Sequence, residues 1–122
     1  MIRIEKTTPR FTLKMSIERM GQDLNVSLYG GDVAHIGAVA LAIPHPGLQD
    51  DEKVDASVSL LCVTGHKEDE LARDVSHTLA TAFHCTVSVA CGIHLDNATP
   101  QEINEILKVS NQLLDQAIKD LS

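Results

Sequence analysis

Between Phe11 and Glu18 the chain alternates without a break: Phe11, Leu13, Met15 and Ile17 on one side, Thr12, Lys14, Ser16 and Glu18 on the other. A period of two is the spacing of a β-strand with one buried face. After a turn at Gly21-Gln22-Asp23 the alternation resumes with Leu24, Val26 and Leu28, so the two segments are expected to form an antiparallel hairpin. Whatever else the chain does, it must lay a core against one side of a sheet.

The remaining segments extend that sheet and cover it. Ile2 and Ile4 alternate as well and predict an edge strand over residues 2 to 5. Ile36 to Ile43 is apolar on both sides, as a central strand covered on two faces would be. Pro44-His45-Pro46-Gly47 is expected to stop it, and Asp50-Asp51-Glu52-Lys53 to form an exposed loop. Val58 to Val63 predicts a further strand. Leu71, Val75, Leu79 and Phe83 recur every four residues, which predicts a helix from about Lys67 to Ala82. Cys85 to Cys91 is valine-rich and alternating, a fifth main strand. Thr99-Pro100-Gln101-Glu102 is a helix start, with threonine to cap, proline at the first helical position and glutamate at the third. Ile103, Ile106, Leu107, Leu113, Leu114, Ala117, Ile118 and Leu121 carry its apolar stripe to the end.

The fold class is therefore α+β: an antiparallel β-meander sheet of five or six strands, a β-α-β crossover and a C-terminal helix, in a single domain over residues 1–122. A formal net charge of -7 and an aromatic set of Phe11, Phe83 and Tyr29 oppose nucleic-acid binding, which needs a basic surface and stacking platforms. Met1 to Lys6 interleaves charges with apolar residues, unlike a secretion signal, and the apolar run Ile36 to Ile43 is too short to cross a bilayer. Cys62, Cys85 and Cys91 are odd in number and form no C-x-x-C pair. A cytoplasmic protein with no membrane partner, its thiols serving as small core residues, is expected.

Three polar blocks follow apolar stretches: Gly30-Gly31-Asp32-Val33-Ala34-His35-Ile36-Gly37; Gly65-His66-Lys67-Glu68-Asp69-Glu70; and Gly92-Ile93-His94-Leu95-Asp96-Asn97-Ala98-Thr99. Each combines glycine, histidine and carboxylate. Taken singly, each has an ordinary explanation: a hairpin turn, acidic residues offsetting a helix dipole, or a turn before a cap. In the expected topology, however, all three end at one edge of the sheet. Both helices would begin there too, directing free N–H groups and positive dipole ends into the same space, a setting that favours phosphate. Asp32, Glu68, Asp69 and Asp96 would repel phosphate unless a metal intervened. His35, His66 and His94 are candidate ligands for a divalent metal, although no close pair of the H-x-x-x-H kind is present. His45, His77 and His84 lie outside the blocks.

Read together, "YGGDVAHIGAVALA", "VTGHKEDELA" and "CGIHLDNATPQEI" resemble the small LpdD-like proteins, the D component accompanying gallate decarboxylase. The resemblance runs from about Met15 to Leu121. It implies a proteasome-assembly-chaperone-like fold and a chaperone for prenylated flavin mononucleotide (prenylated FMN, or FMN itself). It also implies partners in a prenylated-flavin-dependent decarboxylase and a flavin prenyltransferase. Matched by position, the cofactor-binding candidates are Gly30, Gly31, Asp32, His35, Gly65, His66, Lys67, Glu68, Asp69, His94, Asp96 and Asn97, with Tyr29 as the adjoining aromatic. No catalytic residue is implied. Two other readings stay open: a metal-dependent enzyme in which Glu68, Asp69 or Asp96 acts as base on bound water, and a scaffold without small-molecule chemistry. Two helices cover only one sheet face, so a homodimer is expected to close the other.

Overall fold

The computed structural model describes residues 1–48, 52–63 and 68–122. Among these, the chain runs β1 (Ile2–Thr7), β2 (Thr12–Met20), β3 (Asp23–Gly31), β4 (Ala38–Pro46), β5 (Val54–Cys62), α1 (Asp69–Phe83), β6 (Val87–His94) and α2 (Pro100–Leu121). Within the described residues the six strands form one mixed sheet in the order β1-β2-β3-β6-β4-β5. The α+β class, the crossover and the C-terminal helix are as expected.

The meander is not continuous. β6 lies between β3 and β4, parallel to the first and antiparallel to the second. The connection from β3 to β4, residues 32–37, is long enough to pass over one intervening strand, whereas the turn between β2 and β3 is tight and keeps them paired. Val87, Val89 and Cys91 explain the central place of β6, since all three are essentially inaccessible to solvent. The crossover through α1 still sets β6 parallel to β5, because both run antiparallel to β4. The ends of β3, β5 and β6 thus reach the same edge as the start of β4.

Alternation also decides which side is covered. Leu13, Met15, Ile17, Val26, Leu28, Ala38, Ala40 and Ala42 face the helices and are buried. α1 packs on β4, β5 and β6, while α2 packs on β1 and β2. The helices contribute Leu71, Val75 and Leu79 from α1, and Val109, Leu113, Leu114 and Ala117 from α2. Ser76 and Ser110 are buried with them.

The opposite side of β4 is open in this chain: Val39, Leu41 and Ile43 are 38%, 40% and 50% exposed, where coverage on both faces was expected. The prolines do not end β4 either. Its pairing with β6 stops at Ala42, but pairing with β5 continues through Pro44 and Pro46. On that unpaired flank a residue without an N–H costs no ladder bond. Of the exposed loop expected at 50–53, Glu52 and Lys53 are exposed, and the rest lies outside the described residues. Cys85 and Cys91 are buried as core residues, but Cys62, near the end of the edge strand, is exposed.

Candidate functional site

The 32–37 connection begins where β3 loses its regular conformation. Gly31 has φ +82°, and a Cβ there would stand 2.3 Å from the His94 carbonyl oxygen. Only glycine permits that turn at that separation. The following N–H, that of Asp32, donates to the same His94 carbonyl at 2.7 Å. The loop then crosses β6 so closely that a Cβ on Gly92 would meet the His35 carbonyl oxygen at 1.6 Å. Blocks one and three are thus pressed together through backbone.

Glu68, immediately before α1, completes the junction from the second block. The N–H of Ile93 donates to its Oε1 at 3.3 Å, and His35 Nε2 lies 2.9 Å from the same oxygen. The two side chains are only 18% and 11% exposed. A Cβ at Gly37 would lie 2.2 Å from Glu68 Oε2, so the missing side chain there makes room for the carboxylate. His35 Nδ1 faces the Val33 carbonyl at 3.2 Å. Both ring nitrogens therefore face acceptor oxygens.

The His35 and His94 rings meet edge to face, with centroids 6.5 Å apart. His94 Nε2 pairs with Asp96 Oδ1 at 3.0 Å in a more exposed setting, where an ion pair adds little stability. Two of the three histidines expected to converge are therefore neighbours. Gly65, His66 and Lys67 lie outside the described residues. Asp69 and Glu70 occupy the first turn of α1. Asn97 takes a left-handed conformation, φ +52°, as a turn residue, which asparagine tolerates better than most.

Asp32 ties the loops together. Its carboxylate receives Arg10 Nη1 and Nη2 at 2.8 and 2.9 Å, and the Asp96 N–H at 2.8 Å. Arg10 also donates through Nε to Glu102 at 2.9 Å and through Nη2 to the Asp96 carbonyl at 3.2 Å. One guanidinium thus ties the β1–β2 turn to the loops after β3 and β6 and to the start of α2. Its hydrogen bonds, with that of the Asp96 N–H, hold the Asp32 carboxyl well below the usual carboxylate range. The Asp32 bond in turn raises the Arg10 pKa. Sequence reading missed Arg10, because a lone arginine after Thr8-Pro9 resembles any turn cation and its partners lie far along the chain.

The helix ends are not alike. At α2 the Thr99 hydroxyl accepts the Glu102 N–H, while the Glu102 side chain accepts the Thr99 N–H. The expected free, anion-seeking end is already occupied by this reciprocal cap and its own carboxylate. The Thr99 backbone bond, first among its contacts, keeps the Glu102 carboxyl low. α1 has no such side-chain cap. His45 and His77 bond Ser57 and Asp55 on β5, away from this edge, and His84 caps the end of α1.

From residue 7 to residue 122 the chain matches the family described as prenylated flavin chaperone LpdD-like domain. The chain belongs to this family. No curated protein matches it. Among solved structures it is similar to a chain of a novel chaperone complex for yeast 20S proteasome assembly, with 15% identity and a TM-score of 0.60, covering 99% of this chain and 98% of that one. At that identity the likeness shows a shared fold, the proteasome-assembly-chaperone fold.

Among its described residues, this LpdD-like edge offers an aromatic ring and imidazoles, set among carboxylates. Tyr29 lies beside Gly92 in register, on the side of the sheet that His94 shares by alternation. The two imidazoles stand at the same end, so an aromatic ring and polar ring atoms could both be met. On the helix side, Leu71, Ile93, Leu95, Ala98, Ile103 and Leu107 line an apolar groove of about 390 Å³, with His94, Glu68 and Glu70 also bordering it. Those carboxylates disfavour a phosphate there. For a metal, the described residues bring no three ligating side chains together. His35 has both nitrogens engaged, so a three-histidine site would need His35 released and His66 beside it.

Proposed function

We propose that this protein binds prenylated FMN and assists its maturation or its delivery to a prenylated-flavin-dependent (de)carboxylase, receiving the cofactor from a flavin prenyltransferase. It carries the cofactor and does not turn over a substrate. The observation that supports this reading most is the family match along residues 7–122. In this reading His94 offers a hydrogen bond to the polar margin of the flavin, the His35 ring packs edge to face beside it, and Tyr29 offers a stacking face. Glu68 orients the His35 ring, Asp96 orients His94, and Arg10 with Asp32 keeps the loops that bear them in place. When bound, the flavin brings the chemistry that its decarboxylase uses; the chaperone's own residues hold and shield it. The protein works in the cytoplasm as a homodimer joined through the open sheet face.

Producing the protein together with its flavin prenyltransferase, isolating it with and without oxygen, and recording its absorbance and native mass tests the proposal. A flavin-like spectrum with a mass increment of one prenylated FMN per chain is expected, and the loaded protein should activate a cofactor-free decarboxylase. Absence of flavin under both conditions overturns the proposal. The metal-assisted reading predicts a different result, a stoichiometric metal without flavin that is lost in His66→Ala.

A further inference from the structure

The outer side of the sheet, away from the helices, has a concavity of about 420 Å³ lined by Arg3, Glu5, Lys14, Ser16 and Tyr29, with Ile4 and Met15 at its floor. Strand register produces it. Lys14 stands opposite Glu5 on one side and Tyr29 on the other, and Arg3 stands opposite Ser16. A cavity of this size is in the range that holds small molecules.

We infer that this concavity is the phosphate subsite of the bound flavin, with Arg3 and Lys14 on the phosphate monoester and Tyr29 against the adjoining ring. The inference rests on the flavin reading above and adds to it where the negative end of the ligand lies. Three observations lead there. The first is electrostatic. Asp32, Glu68, Asp69, Glu70, Asp96 and Glu102 gather at the loop edge, and Arg10 is already bonded to two of these carboxylates and a carbonyl. The described side chains at that edge would repel a dianionic phosphate. The second is the lining itself: two cations face one carboxylate, in a chain whose formal net charge is -7. Local positive charge against such a background is where a phosphate gains most.

The third observation is continuity. Tyr29 is two residues before Gly31, and Gly31 pairs with His94. At about 3.3 Å per residue the concavity therefore begins roughly 7 Å along the strand from the histidine pair. A ligand with an aromatic ring at one end and a phosphate on a flexible arm can lie along the outer face from one to the other. Among the described residues, the helix-side groove carries Glu68, Glu70 and His94 but no lysine or arginine.

Anaerobic titration with prenylated FMN, and with the same compound after phosphatase has removed its phosphate, tests the assignment. Two charge-assisted contacts should make the wild-type chain prefer the phosphorylated form by at least about tenfold. Arg3→Ala/Lys14→Ala should abolish the preference while leaving affinity for the dephosphorylated compound within about twofold, the range of a change that touches only the phosphate. Arg3→Lys/Lys14→Arg keeps both charges and should retain most of it. A double alanine variant with the wild-type preference overturns this subsite and leaves the flavin reading intact. A wild-type chain that binds neither compound overturns the flavin reading, and this inference with it.

Discussion

Gly92 and Gly37 touch the same loop but differ in what a methyl group would meet. At Gly92 it would strike the His35 backbone carbonyl, and at Gly37 the end of the Glu68 side chain. Backbone cannot yield without moving the loop, so Gly92→Ala should cost about 1–3 kcal/mol, as overpacking does, read as a lower urea midpoint. Gly37→Ala should cost less but displace Glu68, visible as a changed His35 imidazole resonance. Asp32 adds a pH dependence whose sign is fixed by its direction of shift. Its carboxyl is lowered in the folded chain, chiefly by Arg10. The stabilisation is thus fully present above the unfolded value of about 3.9 and is lost as pH falls toward the lower folded one. Thermal melts from pH 6 downward should show a steep acid limb that flattens in Asp32→Asn; an unchanged limb would mean that the Arg10 pair contributes nothing. Burial, with a smaller contribution from the charge of Glu68, pushes the Cys91 thiol up to about 12, so Cys62 should react first with a thiol reagent.

Among the elements, α2 was the most legible. Thr99, Pro100 and Glu102 state its start locally, and the reciprocal cap is formed as those residues dictate. Thr99→Ala should cost about 1 kcal/mol, measurable by denaturant titration, and should also loosen Arg10, because Glu102 is held by both. The place of β6 was not legible. Alternation in Val87, Val89 and Cys91 announces a strand with a buried side but says nothing of its neighbours, and both orders satisfy the same direction rules. What distinguishes them is the six-residue span from 32 to 37, which makes up most of the first polar block. Reading it as a site concealed its role as the connection that crosses β6. Within it, Asp32 fastens the crossing to Arg10. His35, His94 and Glu68 were found because glycine, histidine and carboxylate recur in the sequence. Arg10 carried no such recurrence.

At the scale of the whole molecule, the outer sheet face divides into two halves. β1 and β2, with Tyr29 of β3, carry Arg3, Glu5, Lys14, Ser16 and the aromatic ring, whereas β4 and β5 carry Val39, Leu41, Ile43 and Leu61, the last 76% exposed. Nine-residue strands are about 30 Å long, and six of them span roughly 29 Å, so the face offers on the order of 800 Å² per chain. Its apolar half alone offers roughly 400 Å² per chain, the size of a small interface. A two-fold axis along β4 would set the apolar strands of two copies against each other, leaving the Arg3–Lys14 concavity open to solvent. Leu41→Glu places a carboxylate at the centre of such a contact, where desolvation opposes it. Dimer dissociation should strengthen by about a hundredfold or more, in the range for an unpaired buried charge. Light scattering across a concentration series should then show a monomer with wild-type circular dichroism. The preference of that monomer for phosphorylated over dephosphorylated flavin should persist, because its cations lie on the other half of the face. A Leu41→Glu chain that remains dimeric would move the interface elsewhere, and one that is monomeric but has lost the preference would place the ligand between the two copies.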